Sequence, residues 1–299
     1  MNDVPSRPTW YMPKRFASPV LLLGALFAST IAPEARATDN AAPPAMCPPG
    51  PAPLREAPPP GLRLRTHVRP SDQRWIGPDV PAFVPTTSSA MKLDLLDRSG
   101  NAWVALYRGS FDACGAATPG SLNCDAEVRL YDCTGTLLAA VPLKPLMSRP
   151  DQLEVQDVRY DGGTLYFNEA CQTYSREAGG RCSSLVAVEP VAKRVLWRTR
   201  PLVSNNWFVI AGDYLVAAYG FTGERASIRV VRRTDGAIVD TQPLDHTNFE
   251  MFLEGDTVAV DLWFDIGRVH YTLVGRSGPT PKLVRVQERR AGQRGGASR

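Results

Sequence analysis

A fourfold repetition of short extended segments constrains this chain most. From Met91 onward, β-branched and aromatic residues alternate with polar ones in short runs separated by Gly, Asp and Asn. No stretch there sustains apolar residues at i, i+3, i+4 and i+7, so helices are not expected. Four strand candidates make up each copy. The first copy is Lys92–Leu96, Trp103–Arg108, Glu127–Asp132 and Leu137–Leu143. The second is Leu153–Arg159, Leu165–Glu169, Ser184–Val188 and Val195–Leu202. The third is Trp207–Ile210, Tyr214–Tyr219, Ser227–Arg232 and Ala237–Leu244. The fourth is Phe249–Leu253, Thr257–Trp263, Arg268–Val274 and Lys282–Val286. Gly-bearing turns join the first two strands of every copy: Gly100-Asn101, Gly162-Gly163, Gly212-Asp213 and Gly255-Asp256. A Pro-Leu pair closes the fourth strand in three copies: Pro142-Leu143, Pro201-Leu202 and Pro243-Leu244.

A four-stranded meander has two faces and cannot bury both alone. Packing such sheets face to face around an axis solves this. The expected fold is therefore all-β, a small β-propeller of about four four-stranded antiparallel blades. A sandwich or barrel with accidental repeats is the alternative. Leu62–Val68 offers a closing strand; pairing with a second copy of the chain is the other route to closure.

Ser184-Leu-Val-Ala-Val-Glu-Pro-Val-Ala-Lys-Arg-Val-Leu-Trp197-Arg198 resembles the repeat of quinoprotein-like propellers: an alternating strand, an acid, a turn, then a strand ending in Leu-Trp. Arg129–Leu138 and Arg229–Ile238 keep fragments of it. The pattern departs at Glu189, where the family usually has Asp, and at Val191-Ala192 in place of Thr-Gly. The resemblance implies architecture only. The quinone-dependent dehydrogenases among such propellers often carry adjacent cysteines beside the cofactor, and this sequence has no Cys-Cys pair, so no cofactor is expected.

The N-terminus points to export. Lys14-Arg15 precede an apolar run, Pro19–Ala32, and Ala35-Arg36-Ala37 follows as a small-x-small cleavage pattern. These are the parts of a signal peptide, here residues 1–37, with Thr38 as mature start and Met12 as a possible alternative initiator. Cys47 lacks a lipobox context. A protein exported to the periplasm or beyond is expected, with no integral membrane span. Nine prolines in 38–60 make 38–61 a stiff linker. An irregular segment, 62–89, leads into the repeat domain, 90–287, and a basic tail, 288–299, ends the chain.

Charge gives no partner signal. Of the net +4, residues 1–37 hold +2 and the tail +3, leaving −1 on the body. A near-neutral body has no field to draw nucleic acid. At 43% hydrophobic and 21% charged, the composition excludes a collagen-like, coiled-coil or wholly disordered chain.

In an oxidising compartment the six cysteines read as bridges. Cys114 with Cys124 and Cys171 with Cys182 lie between the second and third strands of adjacent copies, each closing a long hairpin loop. Cys47 and Cys133 remain to pair with each other. The spacings are not those of zinc sites, so no metal is expected. Asp97, Ser99 and Asn101 mimic a calcium loop, but Ala102 and Arg108 fill positions that need Gly and Glu. A polar turn is the expected structure there.

The sequence has no G-x-S-x-G, P-loop, G-x-G-x-x-G or H-E-x-x-H motif, so no catalytic residue is nominated. Topology nominates a surface instead. In a propeller, loops between second and third strands share a rim with the connections between blades. The long insertions Gly109–Asp125 and Ala170–Ser183 fall there. The candidates are Phe111 and Asp112 in the first loop, and Tyr174, Arg176, Glu177 and Arg181 in the second. Asn205, Asn206 and Trp207 lie in the next connection, Phe221 and Arg225 in the third loop. Asp245 and His246 lie in the last connection, Trp263 and Asp265 in the fourth loop. The expected function is non-catalytic binding of a protein or glycan ligand in the cell envelope. The alternative is a propeller hydrolase or lyase acting on glycans, with acids drawn from Asp245, Glu250, Asp261 and Asp265.

Overall fold

The structure is a computed structural model that describes residues 63–65, 80–99, 102–109, 125–150, 153–172, 174–221, 223–254, 256–262, 267–275, 278 and 280–286. All lie in one compact unit, Pro44–Arg299. The proposed signal peptide, linker and basic tail, and the cysteines Cys47, Cys114 and Cys124, lie outside the described residues.

Sixteen of the described strands form four antiparallel meanders in series. Blade 1 comprises β3 (Met91–Ser99), β4 (Ala102–Arg108), β5 (Ala126–Asp132) and β6 (Leu137–Pro142). Blade 2 comprises β7 (Leu153–Asp161), β8 (Thr164–Cys171), β9 (Ser184–Glu189) and β10 (Arg194–Arg198). Blade 3 comprises β11 (Phe208–Ala211), β12 (Tyr214–Tyr219), β13 (Ser227–Arg232) and β14 (Ile238–Pro243). Blade 4 comprises β15 (Asn248–Glu254), β16 (Thr257–Leu262), β17 (Gly267–Val274) and β18 (Lys282–Arg285). Two short strands join blade 1, both through β3: β1 (Arg63–Arg65) pairs with it in parallel, and β2 (Thr87–Ser88) antiparallel. The expected closing strand thus docks on the first strand of blade 1 rather than extending blade 4.

Strand alternation sends successive side chains to opposite faces, and each face meets a neighbouring blade. On blade 1, Val104, Leu106, Val128 and Leu130 face Leu153, Val155, Leu165 and Phe167 of blade 2. The opposite face of blade 2, with Tyr166, Leu185 and Ala187, meets Phe208, Leu215, Ala217 and Val231 of blade 3. Val216, Ala218, Ile228 and Val230 then meet Met251, Val258 and Val260 of blade 4. Face-to-face stacking of four-stranded meanders is propeller architecture. The outer side of blade 1 packs against Val80, Phe83 and Val84. Among the described residues, no apolar cluster joins blade 4 to blade 1.

The repeat landmarks have physical causes. Pro142 and Pro243 end β6 and β14, edge strands on which a missing N–H costs little. The following Leu143 and Leu244 donate their N–H to the carbonyls of Ala126 and Ala226 and bury their side chains between blades. In the second copy the strand stops at Arg198, short of the expected Leu202. Leu202 and Val203 turn away to donate to Cys182 and Ser183 carbonyls. Trp197, from the Leu-Trp motif, sits on the hairpin turn of the next blade. Its indole N–H donates to the Arg233 carbonyl at 2.7 Å, and a Cβ on Gly236 (φ +73°) would come within 2.6 Å of its ring. Phe83 repeats the arrangement on blade 1: a Cβ on Gly135 (φ +93°) would lie 2.5 Å from its ring. The segment before blade 1 thereby fills the role of a preceding blade's aromatic residue.

The first strands meet at the hub. Arg159 of β7 donates to the Asp97 carboxylate of β3 at 2.8 Å and to the Phe208 carbonyl at 2.9 Å, where β11 begins. Asp157 accepts from the Phe208 N–H at 2.8 Å. Both carboxylates are buried, as is the guanidinium between them. Burial alone would push Arg159 down; the charges of Asp157 and Asp97 outweigh it and hold it above its ordinary value. Asp97 is therefore part of a buried ion cluster, not of the polar turn expected from its sequence context. Replacing Arg159 by Leu strands two buried carboxylates, and urea unfolding is expected to show a loss of about 3–5 kcal/mol. A loss below about 1 kcal/mol would show that the hub is held by packing alone.

Candidate functional site

The rim where second strands end and first strands begin carries most of the described candidate residues. Two loops interlock there. The blade 2 loop, 172–183, is closed by the Cys171–Cys182 disulfide, with the two Cα atoms 5.1 Å apart. Cys133 is also disulfide-bonded, and its partner lies outside the described residues. The blade 3 loop, 220–226, lies against the first. Its Glu224 accepts from the Ser175 N–H at 2.9 Å and the Ser175 hydroxyl at 2.6 Å, and from the Tyr219 hydroxyl.

Above this clip, Tyr174 and Phe221 meet edge-on, with ring centroids 5.2 Å apart. Both are exposed, at 43% and 42%, so the pair presents an apolar edge to solvent. Arg176, Glu177, Arg181 and Arg225 are exposed on the same two loops. The pairing rests on the Glu224 carboxylate. Burial pushes that carboxyl up, but the hydrogen bonds from Ser175 and Tyr219 outweigh it and leave it below its ordinary value near 4.5. Burial and the bond to Glu224 push the Tyr219 phenol up to about 12.

The remaining candidates divide by location. Asn205 is buried, and its amide is spent on Gly220: Nδ2 donates to the Gly220 carbonyl at 2.8 Å and Oδ1 accepts the Gly220 N–H at 3.1 Å. Asn206 donates to the Asn248 carbonyl at 2.9 Å, and its own carbonyl accepts from Asn168. Trp207 is half-buried between blades 3 and 4, edge-on to Phe252 at 6.4 Å. Asp245 and His246 are exposed in the connection to blade 4, where Asp245 pairs with Arg285 at 2.9 Å. Phe111, Asp112, Trp263 and Asp265 lie outside the described residues.

The acids of the hydrolase reading are differently disposed. Glu250 and Asp261 are cross-strand neighbours on blade 4, and the Arg268 guanidinium grips the Asp261 carboxylate with both its Nε and Nη2. Asp245 pairs with β18, away from them. Among the described residues, no group of three or more His, Cys, Asp or Glu side chains is placed to hold a metal ion.

Sequence reasoning missed three buried polar residues. Asn168 accepts the N–H groups of Gln156 and Asp157 and donates to the Asn206 carbonyl, tying blade 2 to the connection beyond it. Asn248 is fully buried at the start of β15, and its side-chain amide makes no hydrogen bond. Glu169, also buried, accepts from Ser148 and from the Arg198 fork. Polar residues at strand ends carry no signal that separates them from ordinary loop residues.

No known protein family matches the sequence, and no curated protein matches it either. Solved structures do. The β-propeller domain of the Trilobed protease from Pyrococcus furiosus, described as having an open velcro topology, matches with a TM-score of 0.39 at 9% identity, over 66% of this chain and 58% of that one. A protein of unknown function from Bacteroides caccae matches with a TM-score of 0.41 at 10% identity, over 68% and 69%. BamB from Moraxella catarrhalis matches with a TM-score of 0.35 at 11% identity, over 66% and 62%. This chain thus spans 58% of the first of these proteins and 62% of the last. The TM-scores are all below 0.5, so the propeller assignment rests on strand order and blade packing.

Two outcomes follow from the loop clip. Replacing Cys171 and Cys182 by Ser frees a loop of sequence separation 11, and denaturant unfolding is expected to show a loss of about 3 kcal/mol. Because the folded pKa of Glu224 is depressed, its contribution is present above its unfolded value and lost as pH falls through the folded one. Protection of the Ser175 amide, taken as its exchange relative to the intrinsic rate at each pH, should therefore fall in the native protein as the pH drops below the ordinary carboxylate range. In Glu224→Gln it should not respond to that change.

Proposed function

We propose that this protein is an exported, non-catalytic binding module whose contact surface is the interlocked loop rim of blades 2 and 3. The observation that supports this most directly is the exposed Tyr174–Phe221 pair, held on two loops that a disulfide and a three-donor carboxylate clip restrain. Exposed aromatic side chains on a pre-ordered surface lose little entropy on binding and supply much of the contact energy. Arg176, Glu177, Arg181 and Arg225 form the polar surround. Aromatic edges of this kind suit either a protein or a glycan ligand in the cell envelope.

The domain organisation belongs to the same proposal: signal peptide 1–37, linker 38–61, segment 62–89 feeding blade 1, propeller 90–287 and basic tail 288–299. Disulfide bonding at Cys171, Cys182 and Cys133 supports an oxidising, periplasmic or extracellular location.

Immobilised protein should retain a ligand from envelope extract or a glycan array. Retention should fall at least tenfold (about 1.4 kcal/mol) in the Tyr174→Ala, Phe221→Ala double variant, with thermal melting unchanged. Retention unaffected by the double variant would remove this surface from the proposal. Turnover of a glycan, lost on replacing Glu250 or Asp261, would put the hydrolase reading in its place.

A further inference from the structure

Blades 1 and 3 carry the same arginine in the same frame, and only one of the two is neutralised. In blade 1, Arg129 of β5 lies opposite Ala105 and Ala140, two residues after Glu127, which lies opposite Tyr107 and Pro142. In blade 3, Arg229 of β13 lies opposite Ala217 and Thr241, two residues after Ser227, which lies opposite Tyr219 and Pro243. Each guanidinium rests over the equivalent tyrosine ring, Arg129 over Tyr107 at 5.3 Å and Arg229 over Tyr219 at 5.8 Å. The register differs in one respect: the carboxylate of Glu127 is replaced by the hydroxyl of Ser227.

The consequence is visible at the guanidinium. Arg129 Nε donates to Glu127 Oε1 at 2.7 Å. Arg229 Nε is buried and has no acceptor, and the Ser227 hydroxyl, on the same strand face, is also buried without a partner. The one hydrogen bond from Arg229, Nη1 to the Val203 carbonyl, is 3.5 Å long and costs little to give up. The charged side chain acting on Arg229 is a second cation, Arg200, exposed in the connection from blade 2. Burial first, and the like charge of Arg200 second, push the Arg229 guanidinium below its ordinary value. Arg229 is only half-buried, and a guanidinium whose enclosed Nε–H has no acceptor is costly unless something reaches in to pair with it.

We infer that Arg229, Ser227 and Arg200 form a binding site for a ligand carboxylate, which takes the place that Glu127 occupies in blade 1. The Nε and Nη2 edge of Arg229 is the geometry that grips a carboxylate with two parallel hydrogen bonds. Ser227 adds a third donor, and the exposed Arg200 adds a second positive charge. The carboxylate belongs to a free small acid or to an acidic side chain of a partner. Tyr219 links the site to the loop clip, since its ring lies under Arg229 and its hydroxyl donates to Glu224, but the proposed carboxylate donors themselves lie outside the exposed Tyr174–Phe221 pair.

The test follows the Arg229 Nε–H resonance in full-length protein, at constant ionic strength, against acetate and against a blocked Gly-Glu-Gly peptide. Saturable shifts are expected with one or both. Tighter binding of the peptide assigns the site to a partner's side chain, and equal binding to a free acid. Ser227→Glu supplies the carboxylate internally. It should keep the fold, raise the melting temperature and abolish the response. Arg200→Gln, at an exposed position, should weaken binding at least tenfold. No saturable shift with either probe would overturn the site, as would responses unchanged in both Ser227→Glu and Arg200→Gln.

Discussion

Arg159 and its two carboxylates set the geometry on which the rest of the molecule depends. Four meanders can stack face to face at many offsets if apolar contacts alone decide, because apolar packing has no direction. A guanidinium that bridges Asp97 and Asp157 and also donates to the Phe208 carbonyl admits one offset between blades 1, 2 and 3. Asn206 carries the chain of contacts to blade 4 through the Asn248 carbonyl. The loop rim inherits this precision. Tyr174 and Phe221 come from different blades, and their rings meet only because the blades beneath are fixed in register.

The strands of this fold were legible because each copy repeats a pleat-length alternation between turns that only a few residue types make. Blade order followed from that, and the Pro-Leu landmark ends a strand in two copies, while in all three the Leu N–H donates to a carbonyl at the start of the third strand or just before it. What the repeat could not convey was which charged residues point inward. Asp97, Asp157 and Arg159 alternate with apolar residues as a solvent-facing set would, and only the approach of three first strands buries them. The docking of Trp197 on Gly236 was half legible, as a motif with no visible purpose until the next blade was in place.

The candidate site divides in the same way. Loop length and cysteine placement located the rim, and Tyr174 and Phe221 did come together on it. Asn205 and Trp207 lie on the same rim but are engaged within the structure, one clipped to Gly220 and the other packed on Phe252. Residue type alone does not separate a contact from a support. Ser227 and Arg229 were invisible for a stricter reason: their meaning lies in a comparison between blades, and that comparison needs pairing register.

The described faces of blades 1 and 4 that turn away from their neighbours in sequence are finished differently. Blade 1 is plugged by an apolar strap, Val80–Val84, whose Phe83 sits on Gly135. Blade 4 instead turns outward an ion network in which Arg268 grips Asp261 and lies over Phe252, while Glu254 approaches both Arg268 and His270. A pile of sheets with two greasy ends would grow by adding copies of itself, as fibres do. An apolar plug and a charged lattice are not complementary to each other, so these two described faces do not template the stacking of one copy on the next.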